Sequence, residues 1–215
     1  MKKPLIVLLS VICLVNLTYA DGARYVSAMK KNISKMDSLY TLGDMADLTN
    51  SFLRIGDAEK NKWLPYYYAS YLYVITSFTD TVSANKDGYL DRAVKVLALA
   101  DSLQPDESEI YVIKGLISQA RLQVDPMNRF MKYGAEMNAN LKKAVMLDQT
   151  NPRPEYLMGM TSYYTPEQFG GGVKAAKVMF ESALDKFNGF VPKDELMPTW
   201  GKKQLENFMK QIPQQ

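Results

Sequence analysis

The chain is predicted to be all-helical and built from antiparallel helix hairpins. Three observations carry this. After the first twenty residues, apolar side chains recur at three- and four-residue steps, which sets them in one stripe along a helix. No segment alternates apolar with polar as a half-buried strand does. Small and large residues also return in the same order, in Ala93, Leu97 and Ala100 and again in Ala176, Phe180 and Ala183.

In chain order, Tyr25, Met29, Ile33, Met36 and Leu39 form the first stripe, and Met45, Leu48, Phe52 and Ile55 the second. Gly43 and Asp44 are expected to make the turn and N-cap between them. The segment from Trp63 to Phe78 is apolar around most of its circumference, which predicts the most buried helix. Tyr89 to Pro105 gives the next helix, followed by one opening at Ile110. Pro126 and Thr165 each mark a further start. Pro192 and Pro198 then break the chain, and Thr199 is expected to cap a last helix over 199–212, with Trp200, Leu205, Phe208, Met209 and Ile212 on one side.

Composition narrows the function. The 215 residues are 47% hydrophobic and 23% charged, within the ordinary range of globular proteins, and one domain is expected over 21–215. There are 26 basic and 23 acidic residues; without Lys2 and Lys3 the basic count falls to 24 against the same 23. So even a balance gives no electrostatic reason to expect nucleic acid. The chain contains no histidine, which removes Ser-His and Cys-His nucleophile pairs and the commonest metal ligand. Residues 1–20 read as a secretory leader: Lys2 and Lys3, an apolar run from Leu5 to Val15 broken by Ser10, and a small-x-small exit at Thr18-Tyr19-Ala20. That run falls short of the roughly 18 residues a spanning helix needs, so the mature chain is expected to start near Asp21 with no stable membrane insertion. The lone Cys13 lies inside the leader, which leaves the mature part without thiol or disulfide.

One segment resembles a known family. Ala93, Leu97, Ala100 and Pro105 have the small-large-small-Pro spacing of the second helix of a tetratricopeptide repeat. Tyr111 and Gly115 match the aromatic and glycine of its first helix. Leu141 and Ala144 repeat the second-helix pattern, Tyr156 and Gly159 reopen the first, and Ala176, Phe180 and Ala183 close it. Gly115 to Gly159 and Ala100 to Ala144 are each 44 apart, and Ala144 to Ala183 is 39, against a usual period of about 34. The excess is expected in the connections, at 125–129 and 165–172. The chain is similar to exported bacterial members of this family. That resemblance implies a right-handed superhelix of helix hairpins with a concave groove for peptides or helices, and no chemistry of its own.

Several features bear on a site. Of the five tyrosines between Trp63 and Tyr73, Tyr66 and Tyr73 lie off the main stripe and are the candidates for an outward, partner-binding role; core packing is the alternative. Arg129 and Lys132, beside Asp125 and Asn128, are candidates to recognise a carboxylate; the alternative is a solvated helix start capped by Asp125. Phe169, flanked by Gln168 and three glycines, is a candidate contact on a projecting loop unless it folds against Tyr163 or Phe180. Gly170 to Gly172 before a helix allow anion binding or a flexible turn. Thr165 to Gln168 suggest a capped extra helical turn. The acidic pairs Glu107 with Glu109 and Glu181 with Asp185 are expected on exposed faces, so acid-base catalysis has no support.

The leading expectation is a non-catalytic adaptor of the bacterial cell envelope, exported to the periplasm and so outside the cytoplasm, that binds a protein or peptide. No cofactor and no metal are expected. The alternative is a small-molecule carrier or transport accessory, because residues 163–172 resemble periplasmic helical-repeat components of tripartite transporters. A closed cavity rimmed by tyrosines favours the carrier, and an open groove the adaptor.

Overall fold

A computed structural model describes residues 22–212. Among these, nine α-helices and no strand are present: α1 (22–33), α2 (Leu42–Glu59), α3 (Leu64–Thr79), α4 (Ser83–Leu103), α5 (Ser108–Val124), α6 (Pro126–Leu147), α7 (Arg153–Tyr164), α8 (Val173–Gly189) and α9 (Lys202–Met209). Short 3-10 turns occupy Met36–Ser38 and Glu167–Phe169. The leader and Cys13 lie outside the described residues. None of the described helices is long and apolar enough to cross a membrane.

From α2 onward, consecutive helices pack on one another, and α5 also touches both α3 and α7. Alternate helices therefore share one face of the array. The main core runs from Tyr25 and Met29 through Phe52, Tyr67 and Tyr68 to Leu141 and Leu157. A smaller one joins Ala176, Phe180, Ala183 and Phe187 to Leu205. Half-buried Tyr156 packs against both. α3 is buried on all sides as expected, Leu72 being 1% exposed and Val74 0%.

Four local expectations are corrected. Gly43 and Asp44 do not form the turn into α2. Thr41 is the N-cap, its Oγ1 accepting from the Asp44 N–H at 3.1 Å while Asp44 Oδ2 accepts from the Thr41 N–H at 3.1 Å. This reciprocal box satisfies two end groups at once, so Gly43 is drawn into the helix. At 125–129 there is no extended connection. Asp125 alone separates α5 from α6, accepting from the Asn128 N–H with Pro126 in the first turn, and the extra residues lengthen α6 to 22. The 165–172 segment holds no capping box, since Thr165 closes α7 and Pro166 leads into the 3-10 turn without a side-chain cap. Its glycines are not slack: a methyl group on Gly171 would meet the Thr165 carbonyl at 2.2 Å, and the Gly172 N–H donates to the Ser162 carbonyl at 2.9 Å. Finally, Gly201, with φ 109°, precedes α9 in place of Thr199, its N–H donating to Gln204 Oε1.

The repeated residues are where close packing demands them. Ala93, Leu97, Ala100, Leu141, Ala144, Ala176, Phe180 and Ala183 are all buried. Tyr111 is half-buried beneath Lys114 and Lys143, and Pro105 is exposed in the α4–α5 link. A methyl group at Gly115 would lie 2.6 Å from Leu141 Cδ2, and one at Gly159 2.6 Å from the Phe180 ring and 3.3 Å from Met179 Cβ. A leucine can rotate away more readily than a ring held between helices. Gly159→Ala is therefore expected to cost more than Gly115→Ala, both within about 1–3 kcal/mol. Denaturant titration of the two variants checks this; equal, wild-type midpoints would break the packing argument.

Candidate functional site

The shared face of the alternate helices is hollow. α3 contributes Tyr71, Leu72, Ile75 and Phe78, α5 contributes Leu116, Gln119, Leu122 and Gln123, and α7 contributes Tyr156, Leu157, Met160 and Tyr164. Each set follows the three- and four-residue steps of one helix face. Met36, Leu39 and Met45 form another part of the lining, and Trp200 and Gln204 complete it. Together they bound a half-open cavity of ≈ 850 Å³. Its floor is Met45, Leu72, Leu116, Gln119 and Leu157, all buried. Its rim is Asp37, Gln123, Pro126, Tyr164 and Gln204, all exposed.

One wall is held by residues distant in sequence. The segment between α8 and α9 runs back across the array as a strap. Tyr68 Oη donates to the Leu196 carbonyl at 2.7 Å, and Lys30 pairs with Glu195 at 2.7 Å. Trp200 stacks on Tyr71 with ring centres 4.8 Å apart, and its Nε1 donates to Tyr67 Oη at 2.9 Å. Tyr67 Oη donates in turn to Glu109 Oε2 at 2.8 Å. Glu109 is 2% exposed and meets Arg153, 0% exposed, at 2.8 Å from Nη1 to Oε1. Arg153 Nη2 also donates to the Pro198 carbonyl. The guanidinium carbon lies 5.2 Å from the ring centres of both Phe190 and Trp200. The wall and the buried ion pair thus form one network.

Burial pushes the Tyr71 hydroxyl well above the ordinary phenol range, with Tyr156 and Asp37 adding to the shift against the opposing effect of Arg153. Burial and then the neighbouring Tyr164 push Tyr156 up to about 12. Both are neutral hydroxyls at physiological pH.

The sequence-derived candidates lie elsewhere. Tyr66 is not outward-facing but 7% exposed, because its ring covers the bare backbone of Gly56 while its hydroxyl donates to Asp57. Tyr73 is half-buried against the core. Arg129 clasps Asp87 with both Nη atoms at 2.8 and 2.7 Å, so its guanidinium is engaged within the chain. Lys132 is exposed, its Nζ 5.0 Å from the Tyr133 ring centre. Phe169 is 70% exposed and does not fold against Tyr163 or Phe180. At Gly172 the Glu167 side chain lies close enough to meet an added methyl at 2.5 Å, which sets an acid before α8 and disfavours an anion there. Glu109 corrects the expectation of an exposed acidic pair, and burial raises the Glu107 carboxyl above its ordinary value. Glu181 and Asp185 are exposed as expected. Among the described residues no cluster of three or more His, Cys, Asp or Glu is placed to hold a metal ion.

From sequence, Tyr71 falls in the most buried helix and Trp200 on the last helix, and neither Gln119 nor Leu157 is singled out. The available signal was a polar glutamine inside an apolar stripe of α5.

Fold and cavity define an all-helical protein with a half-open apolar pocket of small-molecule size. No family model and no curated protein matches the chain. Among solved structures it is similar to the HusA haemophore from Porphyromonas gingivalis, with 30% identity and a TM-score of 0.78 over 87% of this chain and 92% of that one. The chain belongs to the same family as that haemophore.

Proposed function

We propose that this protein is an exported carrier of haem or a related porphyrin. The observation that carries the reading is the ≈ 850 Å³ cavity walled by Tyr71, Tyr156 and Trp200 in a relative of a haemophore. Cavities that bury small ligands fall in the range of about 300–1,000 Å³ and are mostly apolar with few polar groups. A flat macrocycle exposes two large apolar faces, which aromatic walls cover well. The likeness to a haemophore favours the carrier over the peptide-binding adaptor expected from sequence, and Met36, Leu39, Met45 and Trp200 add lining beyond the shared helix face.

The grip on such a cargo comes from the ring faces. The chain has no histidine and its one cysteine is Cys13, so of the common haem-iron ligands the lining offers only tyrosine hydroxyls and the weak thioether donors of Met36, Met45 and Met160. Removing the metal from the porphyrin is therefore expected to change affinity by less than about tenfold. Absorbance and fluorescence titrations of haem and of metal-free porphyrin check this. Absence of saturable binding by either would reject the carrier, and binding of haem alone would reject the ring-face grip.

A further inference from the structure

The polar lining of the pocket is lopsided. No lysine or arginine contributes to it, and its one formal charge is the carboxylate of Asp37 at the rim. Haem and protoporphyrin IX carry two carboxylates along one edge and none on the opposite one. Taking such an edge to the floor would strip it of water with no cation to receive it, which is strongly unfavourable. Nor does the floor offer a ready donor through Gln119, because its Nε2 already donates to Thr161 Oγ1 at 2.8 Å and approaches the Leu157 carbonyl at 3.4 Å. Around that amide the floor is hydrocarbon: Leu72, Leu116 and Leu157. Polar groups in contact with water gather instead at the rim, where Gln123 and Gln204 are exposed. Gln204 accepts from Gly201 through Oε1, which leaves its N–H groups for the mouth.

We infer that the cargo enters with its uncharged edge leading, stops against Leu72, Leu116 and Leu157, and leaves its carboxylates hydrated at the mouth between Gln123 and Gln204. The inference rests on the carrier reading and extends it to a cargo class: flat macrocycles whose carboxylates are free, amidated or missing. The pocket selects the ring and ignores the charge. Lys35 and Lys203 are the exposed cations next to the lining segments in sequence, and neither side chain lines the cavity.

The test uses the mature protein with protoporphyrin IX and its neutral bis(2-hydroxyethyl)amide, titrated side by side at low and high salt. The two are expected to bind within about threefold of each other, with little salt dependence. An Asp37→Lys variant is expected to tighten the free acid by about threefold or more at low salt while leaving the diamide unchanged. A diamide weaker by about tenfold, or a free acid weakened as much by salt, would show that cations such as Lys35 or Lys203 grip the carboxylates and overturn the inference. An Asp37→Lys variant that shifts both ligands equally would overturn the placement at the mouth. Failure of either ligand to bind would remove the carrier reading itself, a result distinct from unequal binding.

Discussion

Replacing Arg153 with methionine is expected to destabilise the protein by about 3–5 kcal/mol, among the largest effects of any single change. The guanidinium and the Glu109 carboxylate are both cut off from water, at 0% and 2% exposure. Removal of the cation leaves Glu109 with hydrogen bonds from Tyr67 Oη and Asn151 Nδ2, at 2.8 and 2.7 Å, but with no balancing charge. It also releases the Pro198 carbonyl and the three rings of Phe187, Phe190 and Trp200 that surround the cation. Denaturant unfolding measures the loss. A Glu109→Gln change in the Arg153→Met background is expected to restore a large part, since it removes the stranded charge and keeps an acceptor for Tyr67. A single-variant loss below about 1 kcal/mol would mean that the pair behaves as an exposed one.

Trp200→Ala is expected to weaken porphyrin binding tenfold to a hundredfold, or about 1.4–2.8 kcal/mol. The indole forms one wall of the cavity, and its stack on Tyr71 fixes the adjoining wall. Loss of the ring widens the pocket, frees Tyr71 to move and, on the carrier reading, leaves one macrocycle face against water. Trp200→Phe keeps a ring and loses the Nε1 bond to Tyr67, so binding is expected to stay within about threefold while stability falls by about 1 kcal/mol. Titrations of both variants beside thermal melts separate wall from scaffold. Wild-type affinity in Trp200→Ala would place the cargo elsewhere.

Helices were legible in the sequence because a buried stripe needs only local spacing. Gly115 and Gly159 could be read as close contacts because the residues that cover them, Leu141 and Phe180, return at matching places in the pattern. The pocket was not legible, because a helix face that packs on a neighbour and one that lines a cleft use the same residue types. Tyr71 and Leu72 therefore look like core, which in part they are. Glu109 looks like a surface acid until Arg153, 44 residues away, is brought beside it. Trp200 looks like the start of an end cap because Tyr67 lies 133 residues earlier. The fate of Thr41 differs again: two neighbouring caps compete locally, and the reciprocal bond with Asp44 decides.

The strap has a consequence for the order in which the molecule comes together. Hairpins such as α5 with α6 join neighbours in sequence and can form early, with little loop to close. The contacts of Leu196 with Tyr68 and of Trp200 with Tyr67 span 128 and 133 residues, so they are expected to close last. A chain emerging from its N-terminus has most of its helices before it has the last wall of its cavity. The cavity wall at Trp200 is therefore set only when the strap reaches back to Tyr67 and Tyr68 on α3 and to Lys30 on α1.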